Sequence, residues 1–145
     1  MATYTGTFNI YGHVADAEGN GAINWDTDTF EMLLAQAAYV PAQSHSAIAQ
    51  ITNEASGGGY GRKTLANVNW TLVATNVAML DADDVVFTAA GGDFTAYYWV
   101  IMDTTATSAV CFYGLIDNTP GTVVVTDGNT LTLAPSASGL FRKTV

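Results

Sequence analysis

Two histidines, one cysteine and 13 acidic side chains carry most of the chemical potential of this 145-residue chain. His13 lies in a weakly helical segment, and His45 sits between Ser44 and Ser46. A nucleophilic serine needs a base beside it, and no Gly-x-Ser-x-Gly turn accompanies either histidine. Both histidines are therefore expected to be structural or exposed. Asp26 and Asp28 stand two apart, as do Asp81 and Asp83, with Asp84 adjacent. Such spacing can turn carboxylates to one side of a loop, as calcium requires. The twelve-residue calcium loop with its central Gly and closing Glu is missing. A pair of carboxylates for glycoside hydrolysis would need an open, aromatic-lined cleft. The simpler expectation is that these aspartates accept hydrogen bonds from turn amides. No metal, no cofactor and no enzymatic role is expected.

The Gly57-Gly-Gly-Tyr-Gly61 stretch lacks the Lys-Ser/Thr pair of a phosphate loop, although Arg62 and Lys63 follow it. It reads as a surface loop or a contact with a neighbouring subunit. Asn69-Trp70-Thr71 matches the N-glycosylation pattern, here by chance, since no secretion signal is expected. Cys111 lies in an apolar run and reads as a small buried residue. Trp25, Trp70 and Trp99, with seven tyrosines, could build a sugar platform. Core and interface anchors are the commoner use of such rings.

Composition limits the partners. Four Lys and Arg against 13 Asp and Glu give a net charge of −9. That balance argues against nucleic acid and against an anionic membrane, which both require clustered cations. Charged residues make up 12% and hydrophobic residues 49% of the chain. So little charge suggests that other subunits cover part of the surface. No apolar run approaches the roughly 18 residues of a membrane helix. Met1-Ala2-Thr3-Tyr4-Thr5 has neither a basic region nor an apolar stretch, so synthesis and assembly in a cytoplasm are expected.

The elements that must position these residues are mostly strands. Phe8, Tyr11 and Val14-Ala15 share a helical face, which predicts a short, poor helix between a Thr7 cap and Gly19. Thr29 to Gln36 suits a buried strand or a helix. Ser44 could cap a turn of helix through Ile48 and Ile51. Lys63 to Ala74 reads as strand, then Val77–Leu80 and Val85–Thr88, parted by Asp81–Asp84. Phe94 to Met102 reads as a central strand buried on both faces, with Trp99 mostly buried. Ala109 to Ile116 is the next strand. Thr104–Thr107, Asn118–Gly121 and Gly91-Gly92 read as turns. Val123–Val125 and Leu131–Leu133 predict a hairpin with Asp127-Gly128 at its tip. Leu140 to Val145 is a last strand or an arm. Turns every ten residues or so are the spacing of a β-sandwich or barrel, and the expectation is a mainly β chain, an antiparallel sandwich with one or two short helices, in one domain spanning 1–145.

The order of segments resembles a known family. Ile23-Asn-Trp-Asp-Thr-Asp-Thr-Phe30 precedes an apolar strand and Tyr39-Val-Pro41. Thr52-Asn-Glu54, Gly59-Tyr60, Thr64-Leu-Ala-Asn67, Leu80-Asp-Ala-Asp-Asp-Val85, Phe87 and Ala96-Tyr-Tyr-Trp-Val-Ile-Met-Asp103 follow. Over roughly residues 20 to 117, this resembles small virion structural proteins of tailed bacteriophages. The segments before and after that stretch depart from the pattern. The resemblance implies a head decoration, or cement, protein with a sandwich of jelly-roll type. It implies the major capsid protein and further copies of the chain as partners, a trimer favoured over a dimer, and a place on the capsid exterior. Arms at 1–7 and 139–145 are expected to reach beyond the sandwich. Met1, Ala2, Thr3, Tyr4, Trp25, Tyr60 and Phe141 are the expected interface residues. A tail or head–tail connector component and a carbohydrate- or receptor-binding module are the alternatives.

Overall fold

The computed structural model describes residues 3–5, 8–105, 109–117, 119 and 121–144. The chain is mainly β, and its two larger sheets form an antiparallel sandwich. One sheet holds, in spatial order, β1 (Thr3–Thr5), β13 (Phe141–Thr144), β6 (Val77–Asp81) and β5 (Asn69–Ala74). The other holds β2 (Asn9–Ile10), β10 (Ala109–Leu115), β9 (Tyr98–Asp103), β3 (Phe30–Ala35) and β4 (Lys63–Thr64). Two ribbons extend them: β8 (Phe94–Ala96) pairs with β11 (Val123–Val125), and β7 (Val85–Thr88) with β12 (Thr130–Leu133).

Aromatic rings hold the two sheets together. Phe141 lies edge-on to Phe112, ring centroids 5.3 Å apart, and to Trp25 at 5.1 Å. Trp25 stacks on Phe30 and donates its indole N–H to Glu18 Oε1 at 3.1 Å. Glu18 also pairs with Lys143 Nζ at 2.8 Å. The outer face of the five-stranded sheet is roofed by residues 36–55. Backbone bonds from Gln36 to Asn53 and from Ala55 to Leu34 pin the two ends of that roof. Leu33 and Val100 are fully buried beneath it.

Several elements differ from the sequence expectation, each for a local reason. The helix α1 covers only Val14–Gly19. Asn9 and Ile10 pair instead with Tyr113 and Phe112, and the Tyr11 N–H bonds to Cys111 O, so the sheet takes the backbone groups that a longer helix would use. The Thr7 cap lies outside the described residues. Ser44 caps nothing: Gln50 Oε1 accepts the Ser46 and Ala47 N–H groups at the start of a 3-10 turn, Ile48–Gln50.

Lys63 to Ala74 breaks into two strands because Asn67 adopts a positive φ of 51° where the chain changes sheets. Phe94 to Met102 breaks at Tyr97, whose N–H bonds to Ala35 O. Trp99 keeps only a minor part of its surface exposed and packs against the core, in line with the expectation, and β9 is the central strand of its sheet. Asp127-Gly128 is a turn, but β11 and β12 do not pair with each other. The turn is clamped to the β7–β8 corner instead. Asp127 Oδ1 accepts the Gly91 N–H, and Asp93 Oδ1 accepts the Asp127 N–H, both at 2.8 Å. Of the turns expected at 104–107 and 118–121, residues 106, 107, 118 and 120 lie outside the described residues. The C-terminal segment is a strand, set between β1 and β6.

Candidate interaction surface

Alternation along β5 decides which side chains meet the core. Trp70 and Leu72 share one face, being two residues apart on a strand. Trp70 is in register with Leu80, which pairs with Phe141, and the Trp70 ring lies 5.7 Å from that of Phe141. Leu72 stands one pleat nearer the Thr75-Asn76 turn, in a row with Ala78 and Lys143. There the opposite sheet no longer covers it, and Leu72 is 69% exposed. Val73, at a bulge between Leu72 and Ala74, is 42% exposed. β5 is an edge strand and carries no charged residue. Natural edges are usually blunted by charge or proline, so an uncharged apolar edge is a place where another chain can pack. The ribbons add Val86 and Val124, both exposed.

A second feature is a groove of about 490 Å³. Trp99, Leu115, Ile116 and Leu140 form its apolar wall, with Thr132 and Ser138 among its hydroxyl groups. The Trp99 indole lies so close over Gly114 that a Cβ there would stand 2.6 Å from Cε2. The small residue thus sets the ring's position.

The expected interface residues fall in several places. Met1 and Ala2 lie outside the described residues. Thr3 and Tyr4 belong to β1, opposite Thr144 and Lys143 of β13. Trp25 and Phe141 are 3% and 0% exposed, so their surface is used inside the chain and not against a neighbour. Tyr60 is half-buried, stacked on Phe87 with centroids 6.0 Å apart. Its hydroxyl donates to Glu54 Oε1 and accepts the Leu34 N–H. Burial is the main cause that pushes its phenol up. Sequence reading missed Leu72 and Val73. The signal was present: three consecutive apolar residues, Leu72-Val73-Ala74, break the alternation just before a polar turn.

The remaining chemical candidates have structural partners. His13 Nε2 lies 2.6 Å from Val110 O, and His45 Nδ1 lies 2.9 Å from the Tyr39 hydroxyl. Tyr39 in turn bonds the buried Tyr11 hydroxyl at 2.8 Å. Burial pushes both phenols up. The glycine loop packs on the β7–β8 corner, where Gly58 O accepts the Ala90 N–H, and Gly58 needs its positive φ of 51° in that close approach. Arg62 behind the loop grips Glu54 with two hydrogen bonds, of 2.8 and 2.7 Å. That guanidinium holds the Glu54 carboxyl below its ordinary range.

Two of the aspartates expected to take turn amides do so: Asp81 accepts the Ala82 N–H and Asp28 that of Asn24, while Asp117, outside that set, accepts the Thr119 N–H. Asp83 accepts from the Asn67 side chain. Among the described residues, no group of three His, Cys, Asp or Glu is placed to hold a metal ion. No helix among them is long and apolar enough to cross a membrane.

No protein-family model, curated protein or solved structure matches this chain.

Proposed function

We propose that this protein is a structural virion component that decorates and stabilises the capsid of a tailed bacteriophage by binding across capsomer junctions. The observation that carries the reading is the uncharged β5 edge, with Leu72 and Val73 bare to solvent on a chain of net charge −9. A repeated apolar patch on a stable sandwich is what lattice cementing requires: each copy adds a modest contact, and the lattice multiplies it. The segment order that resembles phage virion proteins supports the same reading. The partners are then the major capsid protein and other copies of the chain, with a trimer favoured at three-fold and quasi-three-fold seams. The acidic remainder of the surface faces outward or meets basic capsid patches.

The test is co-sedimentation of purified protein with decoration-free shells. Saturable binding at one set of copies per lattice junction is the expected result. Binding to purified tails and not to shells would transfer the protein to a tail or connector role. One observation favours a second reading. Trp99, partly exposed beside Thr132 and Ser138 in the groove, has the ring-and-hydroxyl make-up of a sugar subsite. Glycan-array binding lost in Trp99→Ala, without shell binding, would establish a carbohydrate- or receptor-binding module instead.

A further inference from the structure

At the opposite end of β9 from Trp99 sits a carboxyl group that has no ordinary reason to be buried. Asp103 is 2% exposed, the only polar or charged residue so deeply buried among those described. It pairs with Phe30 on one side and Ala109 on the other. One of its oxygens, Oδ1, accepts the Thr105 N–H at 2.8 Å. The other, Oδ2, has no hydrogen-bond partner among the described residues. The segment that carries a second carboxyl, Asp28, is tied to this end of β9: the Thr104 N–H bonds to Thr29 O at 2.9 Å and the Thr29 N–H to Thr105 Oγ1 at 2.7 Å. Asp28 is itself anchored, through Oδ2, by the Asn24 N–H at 2.6 Å.

Two ionised carboxylates can only repel each other, and neither supplies a proton for the orphan oxygen. A single proton between them removes both problems. We propose that Asp28 and Asp103 share one proton and so form an acid-strengthened latch between the turn before β3 and the end of β9.

The surroundings keep the proton in place. From β10 the nearest titratable group is Cys111, buried and pushed up, so its thiol stays neutral and offers no compensating charge. From the segment leading into α1, His13 meets the Val110 carbonyl. From β3, Glu31 is in register with Met102. The 24–28 turn carries Asp26 besides Asp28. No Lys or Arg is among the groups that act on Asp103. Burial first, and Asp28 with it, hold Asp103 above the ordinary carboxyl range against the opposing pull of the Thr105 N–H and hydroxyl. The folded chain therefore binds this proton more tightly than the unfolded chain does. Its stabilising effect is complete below the ordinary Asp range, about pH 4, and is lost as pH rises through the raised folded value.

The experiment follows the side-chain carboxyl carbons by NMR through a pH titration of the full chain, with melting temperatures over the same range. Asp103 should titrate in a late step, above the ordinary carboxyl range. The wild-type melting temperature should fall on the alkaline side of that late step. Asp103→Asn supplies an amide donor in place of the proton and should remove that fall. If Asp103→Asn does not fold, Asp28→Asn on the outer turn serves, and Asp103 should then titrate as a single group. Titration of Asp103 in the ordinary range would overturn the proposal. So would a wild-type melting temperature at neutral pH that calcium raises and Asp103→Asn abolishes, which would place a cation where the proton is proposed.

Discussion

At the scale of single residues, the sandwich depends on a few rings more than on its many small apolar side chains. Phe141 has no exposed surface, and Phe8, Trp25, Trp70 and Phe112 all pack around it from both sheets and their connections. Phe141→Ala should cost about 3–5 kcal/mol, because the rings around it cannot close the cavity without leaving one another. Denaturant unfolding measures this, and a loss under about 1 kcal/mol would mean that the two sheets are not joined there. Trp99 keeps part of its surface exposed, so its truncation should cost less than that of Phe141. Glu54 offers a pH test of opposite sign to the Asp103 latch. Arg62 lowers its pKa, so the ion pair stabilises the fold above the ordinary Glu range and ceases to do so as pH falls through the depressed value. Glu54→Gln should therefore flatten part of the acid-side decline in melting temperature. An unchanged acid limb would show that solvent screens the pair to no effect.

Among the elements, those with local causes were legible in the sequence and those with distant causes were not. The apolar run before Gln36 became β3, and the β-branched content of Val85–Thr88 became β7, because alternation and propensity act within the strand itself. The pairing of β11 and β12 was misread because an Asp-Gly turn specifies a reversal but not a partner. Here the turn docks on a corner more than thirty residues away in sequence, through Asp127 and Asp93. The shortened α1 has the same origin: β10 takes the backbone of Asn9 to Tyr11. The interface residues were chosen for their aromaticity, which marks cores as well as surfaces, so Trp25 and Phe141 proved interior. The apolar run at Leu72 to Ala74 was readable, but only the sheet order reveals it as an edge. Asp127→Ala should loosen the corner by about 0.5–1.5 kcal/mol, one net hydrogen bond, with faster amide exchange at Gly91. Exchange at Gly91 as slow as in the wild type would show that the clamp contributes nothing.

On the scale of the whole molecule, apolar and electrostatic attachment to a capsid make opposite demands on salt. The chain carries a net charge of −9, and two of its four cations, Arg62 and Lys143, are committed to Glu54 and Glu18. If acidic side chains meeting a basic shell supplied the binding, affinity would fall steeply as salt rose past the point where the Debye length is about 8 Å. If the β5 edge supplies it, binding should survive that salt and fail when the edge is made cationic. Leu72→Lys with Val73→Lys changes exposed positions only, so each substitution should shift folding stability by no more than about 0.5 kcal/mol. The added lysines would favour a basic or acidic partner differently, but at high salt that difference is screened and only the lost apolar contact remains. The decisive comparison is therefore co-sedimentation with decoration-free shells at high salt, wild type against the double variant. Wild-type binding that persists, with loss in a variant whose melting temperature is unchanged, assigns attachment to β5. Equal binding by both proteins would move the contact elsewhere on the sandwich, and wild-type release at high salt would assign it to the acidic surface.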